Sequence, residues 1–162
     1  MPIPSEIAGA AGTFNQNARL LSKCFEGLTP EEWLRSPSES SNSILWITGH
    51  VIWARSVAVR LLGSAWERPW LAQFERGHKH VDGEQYPPAE VLVLGWQEAS
   101  AALAQALEGA TAEVLAAPAP PKAPSPDGKV KGMIDFLAFH ETYHLGQVAY
   151  LRTWLGHNGV AG

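Results

Sequence analysis

Two histidines stand four residues apart in His140-Glu141-Thr142-Tyr143-His144, within a stretch whose apolar residues recur at helical spacing. Four residues advance an α-helix by about 6 Å and roughly 400°, so both rings leave one face about a turn apart. Imidazole nitrogens bind divalent ions at about 2.0–2.1 Å, and rings so placed can share one ion without backbone movement. Two ligands rarely suffice, so the spacing calls for a third.

The zinc-protease pattern H-E-x-x-H would make Glu141 a general base and place the third ligand downstream. The chain departs from it: Tyr150 stands where the extended pattern needs His, and no Asp or Glu follows Glu141. His157 remains downstream, but it lies beyond Gly156, where the helix should have ended. Upstream, His50 is the strongest candidate. It sits in Ser43-Ile44-Leu45-Trp46-Ile47-Thr48-Gly49-His50, and Trp46, Trp53, Val57 and Leu61 share its helical face. Met133, Phe136, Leu137, His140, His144, Val148 and Leu151 form the matching stripe on the last helix.

Three inward-facing imidazoles need their nitrogens satisfied, either by one metal ion or by hydrogen bonds within a core. His78 and His80 flank Lys79 in a polar segment that reads as solvated loop, with an open metal position as the second reading. Glu141 is one step, about 100°, from His140, which suits a flank residue bonded to a neighbouring helix, a partner for a ligand imidazole, or a general base. Gly146 suits close helix approach and Gln147 a polar core contact, while Trp46, Trp53 and Tyr143 either wall a pocket or fill the core.

These groups must be held by helices. The first is expected from about residue 5 to 27, with Ile7, Ala11, Phe14, Leu21 and Phe25 as its apolar stripe. Thr29-Pro30-Glu31-Glu32-Trp33 reads as a capped helical turn, with Pro30 at the first helical position. Asn42 or Ser43 caps the second long helix, which carries His50 to about Leu62. Residues 64–86 read as a partly packed crossover with a helical turn, and Pro87-Pro88 opens a third helix expected to reach about Leu115. Residues 116–128 are too rich in Pro for helix. The fourth helix starts between Val130 and Met133 and ends near Leu155, with Gly156 as its left-handed cap. Four amphipathic helices with long connections make a four-helix bundle, an architecture that builds metal sites from facing helices.

At 162 residues the chain fits one domain, residues 1–162, able to bury roughly 70% of its unfolded surface. A net charge of −4 and a pI near 5.8 give no basic footprint, so nucleic acid is not an expected partner. No run approaches the roughly 20 apolar residues needed to cross a bilayer, and the N-terminus lacks the basic and apolar regions of a signal peptide. The expectation is a cytoplasmic protein without a membrane partner. The single Cys24 excludes an internal disulfide and, between Leu21 and Phe25, reads as a buried structural thiol.

The helix-capping Ser followed by Ile-Leu-Trp-Ile-Thr-Gly-His50, joined to His140-Glu141-Thr142-Tyr143-His144-Leu145-Gly146-Gln147, resembles the DinB-like superfamily. That superfamily also embraces the YfiT-like proteins assigned as metal-dependent hydrolases and the mycothiol- or bacillithiol-dependent enzymes. The resemblance spans nearly the whole chain. It implies an all-α, up-up-down-down bundle with long crossover loops and a metal triad of His50, His140 and His144. It further implies one divalent transition metal (nickel, zinc, iron or manganese), often a homodimer, and chemistry ranging over thiol transfer, isomerisation and hydrolysis. The function expected on this basis is activation of a low-molecular-weight thiol, or of water, toward a small-molecule substrate. A non-catalytic metal-binding module with a sensing or stress-linked role is the alternative.

Overall fold

Ser43 starts the helix that carries His50: its hydroxyl oxygen accepts a hydrogen bond from the Trp46 amide at 3.3 Å, satisfying a donor that has no partner inside the helix. In the computed structural model, which describes residues 2–78 and 85–160, the helices are α1 (Ala8–Phe25), α2 (Pro30–Leu34), α3 (Ile44–Leu61), α4 (Ala89–Gly109), α5 (Ala112–Ala116) and α6 (Val130–Trp154). No strand occurs among the described residues, and no helix there is long and apolar enough to cross a membrane.

Local chemistry sets most of the boundaries. Before α2, the Thr29 hydroxyl accepts from the Glu32 amide at 3.3 Å, while the Glu32 carboxylate accepts from the Thr29 amide at 2.8 Å. Gly156, at φ +97°, adopts the left-handed conformation expected after α6. The third long helix is shorter than its apolar spacing predicts. It stops at Gly109, Ala110 is extended, and the Thr111 hydroxyl accepts from the Val114 amide at 3.3 Å to start α5 as a separate turn. A competent capping residue overrides continuous periodicity there.

α1 packs against α6 and α4, and α3 against α4 and α6. One apolar cluster joins Ile7 and Phe14 of the N-terminal part with Val59, Leu107 and Ile134. A second joins Leu21, Ile52, Leu92, Val148 and Leu151. The first half of α1 therefore meets the first half of α6 and the second halves of α3 and α4. α1 and α6 run one way and α3 and α4 the other, so the order along the chain is up, down, down, up. This corrects the up-up-down-down expectation.

The reason is the crossover. α3 has 18 residues and spans about 27 Å, and a parallel α4 requires the connection to climb back along that length. The returning chain carries a 3-10 turn, Pro69–Phe74, that lies on α3. Phe74 is fully buried and seated on Gly49, where a Cβ would overlap the phenyl ring. That seat brings a crossover backbone carbonyl to His50.

Between the two clusters lies a buried ion pair. Arg55 donates through Nε to Glu141 Oε2 at 2.6 Å and through Nη2 to Oε1 at 2.8 Å, and both side chains are 2% exposed. The guanidinium also donates to Ser100 Oγ at 2.8 Å and to the Phe14 carbonyl at 3.0 Å, and it lies 3.9 Å from the centre of a Trp96 ring. One side chain of α3 thus binds groups on the other three long helices.

Candidate metal centre

The mid-portions of α3 and α6 bring three imidazoles together. His50 Nε2 lies 3.3 Å from His140 Nε2, which lies 3.1 Å from His144 Nε2. The three ligand atoms all fall within 4.8 Å of one another. Two nitrogens bound to one tetrahedral ion at about 2.0–2.1 Å stand about 3.3–3.4 Å apart, which the two short separations match. The trio expected from spacing is assembled.

Two rings are oriented from behind. The Phe74 carbonyl is 2.8 Å from His50 Nδ1, and a carbonyl only accepts, so Nδ1 carries the proton and Nε2 presents its lone pair. His144 Nδ1 likewise donates to Gln147 Oε1 at 2.7 Å. Trp46 and Trp53 both stack on His50, with centroids at 5.0 and 5.4 Å and interplanar angles of 11° and 20°. His140 differs, because its buried Nδ1 has no hydrogen-bond partner.

This donor set fits a cation. With the Nδ1 protons of His50 and His144 fixed, their Nε2 lone pairs face His140, whose single Nε2 proton could fully satisfy one of them. One divalent ion would accept all three lone pairs. Burial holds all three imidazoles below the ordinary histidine range, His140 to about 4, and for His140 the neighbouring His144 and His50 push the same way. The rings are therefore neutral near pH 7, as metal ligands must be.

The triad opens on a pocket of about 410 Å³ walled by Trp46, Trp53, Phe136 and Leu137, with Arg76 among its lining. This is within the ordinary size range of small-molecule sites.

The other candidates fall elsewhere. His78 is exposed and outside the triad, and His80 lies outside the described residues. His157 Nε2 sits 3.0 Å from a Glu32 carboxylate oxygen, tying the C-terminal segment to α2. Cys24 is buried, and burial pushes its thiol up to about 11, so it stays protonated near neutrality and is a poor nucleophile. Glu141 is held by Arg55, which satisfies the expected bond to a neighbouring helix and leaves its carboxylate turned away from general-base work. Gly146 faces open space rather than a close helix. Gln147 makes the expected polar contact, and makes it with buried His144, which it orients.

Sequence reasoning missed Arg55, Phe74 and Arg76. Arg55 left no signal, because α3 carries a second arginine, the exposed Arg60, and nothing local separates the two. Phe74 left none, because its contribution is a backbone oxygen.

In comparisons with known proteins, the family model of the DinB superfamily matches residues 13–148, a span that contains all three histidines, Arg55 and Glu141. No curated protein matches the chain.

Proposed function

The chain belongs to the DinB superfamily, and on that premise we propose that it is a metal-dependent enzyme. His50, His140 and His144 hold one divalent transition ion, and the protein transfers a small thiol to an electrophilic substrate. In this reading the four long helices are the family's four-helix bundle. The observation that carries it is the convergence of three Nε2 atoms at one side of an apolar pocket. An ion held by three neutral imidazoles keeps its full charge and an open position, and so supplies Lewis acidity toward a thiol or a water.

The chain's own residues do the remaining work. The Phe74 carbonyl and the Gln147 amide fix two ligand tautomers, and Trp46, Trp53 and Phe136 restrict water around the triad. Among the described residues no carboxylate lines the pocket, and Glu141 is occupied by Arg55. A thiol, with an ordinary pKa of about 8.5, needs far less help to ionise than water at about 15.7. That contrast favours thiol transfer over hydrolysis where no general base is at hand. The transfer forms a C–S bond as the leaving group departs with its electron pair, and the thiol proton passes to solvent.

The test is turnover of 1-chloro-2,4-dinitrobenzene with a panel of small bacterial thiols, by metal-loaded wild type and by His144→Ala. Thiol-dependent turnover is expected, falling at least roughly 100-fold in the variant, since loss of a partner behind a ligand alone costs about 10–100-fold. Metal-dependent ester cleavage without thiol would select the hydrolase. No metal-dependent turnover of either kind would contradict the enzymatic reading.

A further inference from the structure

Among the described residues, one charged side chain lines the pocket beside the triad. Trp46, Trp53, Val57, Met133, Phe136 and Leu137 supply apolar wall, and Arg76 stands among them from the crossover after Phe74. Three of the six other arginines have hydrogen-bond or ion-pair partners among the described residues: Arg55 binds Glu141, Arg68 binds Glu98, and Arg152 donates to the Cys24 and Glu26 carbonyls. Arg76 has no hydrogen-bond or ion-pair partner among the described residues, although it is exposed and borders the cavity.

A guanidinium is planar, weakly hydrated and always charged, and its fork matches a carboxylate with two parallel hydrogen bonds. Apart from the imidazoles and the Tyr143 hydroxyl, the surrounding wall offers shape and apolar area. We propose that the pocket's ligand is a small carboxylic acid with an apolar, aromatic-sized body. Its carboxylate meets Arg76 and its body lies along the Trp53 and Phe136 wall, with its far end toward the imidazoles. This assignment rests on the reading of the pocket as the substrate site of the triad, and it adds the substrate's charge class and the residue that selects it.

Trp46 and Trp53 line the pocket, so ligand entry is readable as a change in tryptophan fluorescence. The probes are 3-phenylpropanoate and its neutral isostere 3-phenylpropanamide, titrated into the metal-loaded and the chelator-treated full chain. The acid is expected to bind about tenfold more tightly than the amide in both forms, the size of a charge-assisted hydrogen bond at a partly wet site. Arg76→Gln should bring the two within about twofold, and Arg76→Lys should retain part of the preference. Arg76 is exposed, so the variants should fold, with helical circular dichroism as the control. Equal binding of acid and amide by the wild type, or no binding of either, overturns the assignment. A tenfold preference that survives in Arg76→Gln also overturns it, because the carboxylate is then recognised elsewhere. Failure of the metal reading would appear instead as absent metal in the loaded form, with the preference still measurable after chelation.

Discussion

Glu141→Ala is expected to destabilise the protein by about 3–5 kcal/mol, the cost of leaving one member of a buried ion pair without its partner. For a domain of this size that is a fall in melting temperature on the order of 10 °C. The expectation follows from 2% exposure of both side chains and two hydrogen bonds of 2.6 and 2.8 Å between them. Without Glu141, Arg55 keeps Ser100 Oγ and the Phe14 carbonyl as acceptors, but its charge stays buried without a counter-ion. Replacing both partners together, as Arg55→Met with Glu141→Leu, should recover much of the loss, because the buried charge is then gone as well. A Glu141→Ala variant within about 1 kcal/mol of wild type in denaturant titration would contradict this role for the pair. The result also bears on chemistry, since a carboxylate engaged in this way is not the mobile base that the zinc-protease pattern requires.

Chelation at pH 7.5 should produce a second large effect. The proposed ion, shared by His50 on α3 and by His140 and His144 on α6, would tie two helices together and bind only the native state. Mass action then stabilises by about 4 kcal/mol when free metal is 1,000-fold above its Kd, again on the order of 10 °C in melting temperature.

The pH dependence has a definite sign. Unfolded imidazoles take up protons from about pH 6.5 downward, whereas the folded protein resists protonation of His140 until about 4. The unfolded state therefore binds more protons across that interval. The stability contributed by the buried neutral imidazole is fully present above about pH 6.5 and is lost as pH falls toward 4. Ordinary histidine values would have the metal contribution fade below about pH 6. Burial extends it, so the difference between chelated and loaded protein should persist at pH 5.5 and disappear near pH 4. No chelator effect at pH 7.5, or its disappearance already at pH 6, would contradict a metal linked to this core.

The histidine trio was legible because two signals coincide: a ligand type whose nitrogens need partners, and a helical period that places all three rings on inward faces. Helix starts were legible where Thr29 and Ser43 cap them, and the close of α6 where Gly156 supplies a positive φ. Helix directions were not. A 3.6-residue period tells which face is buried but not which end of one helix meets which end of another. That depends on how far the crossover after α3 travels. The early end of α4 was hidden because the apolar pattern continues through Ala110 while a single hydroxyl, that of Thr111, interrupts it. The orientation of His50 was hidden for a different reason. Its partner is the Phe74 carbonyl, a group every residue carries, brought into place by the missing side chain of Gly49. Glu141 was legible as a residue bonded to a neighbouring helix, but its partner was not, since nothing local distinguishes Arg55 from a solvent-facing cation.

The central claim is that one ion sits among His50, His140 and His144, and elemental analysis tests it most directly. Wild type and His140→Ala are purified without chelator and their bound transition metal is measured per chain. The account predicts close to one equivalent in the wild type and a near-complete loss in the variant at retained helicity. Undiminished metal in His140→Ala, or a wild type that binds none when nickel, zinc, iron(II) and manganese are each offered, would contradict it.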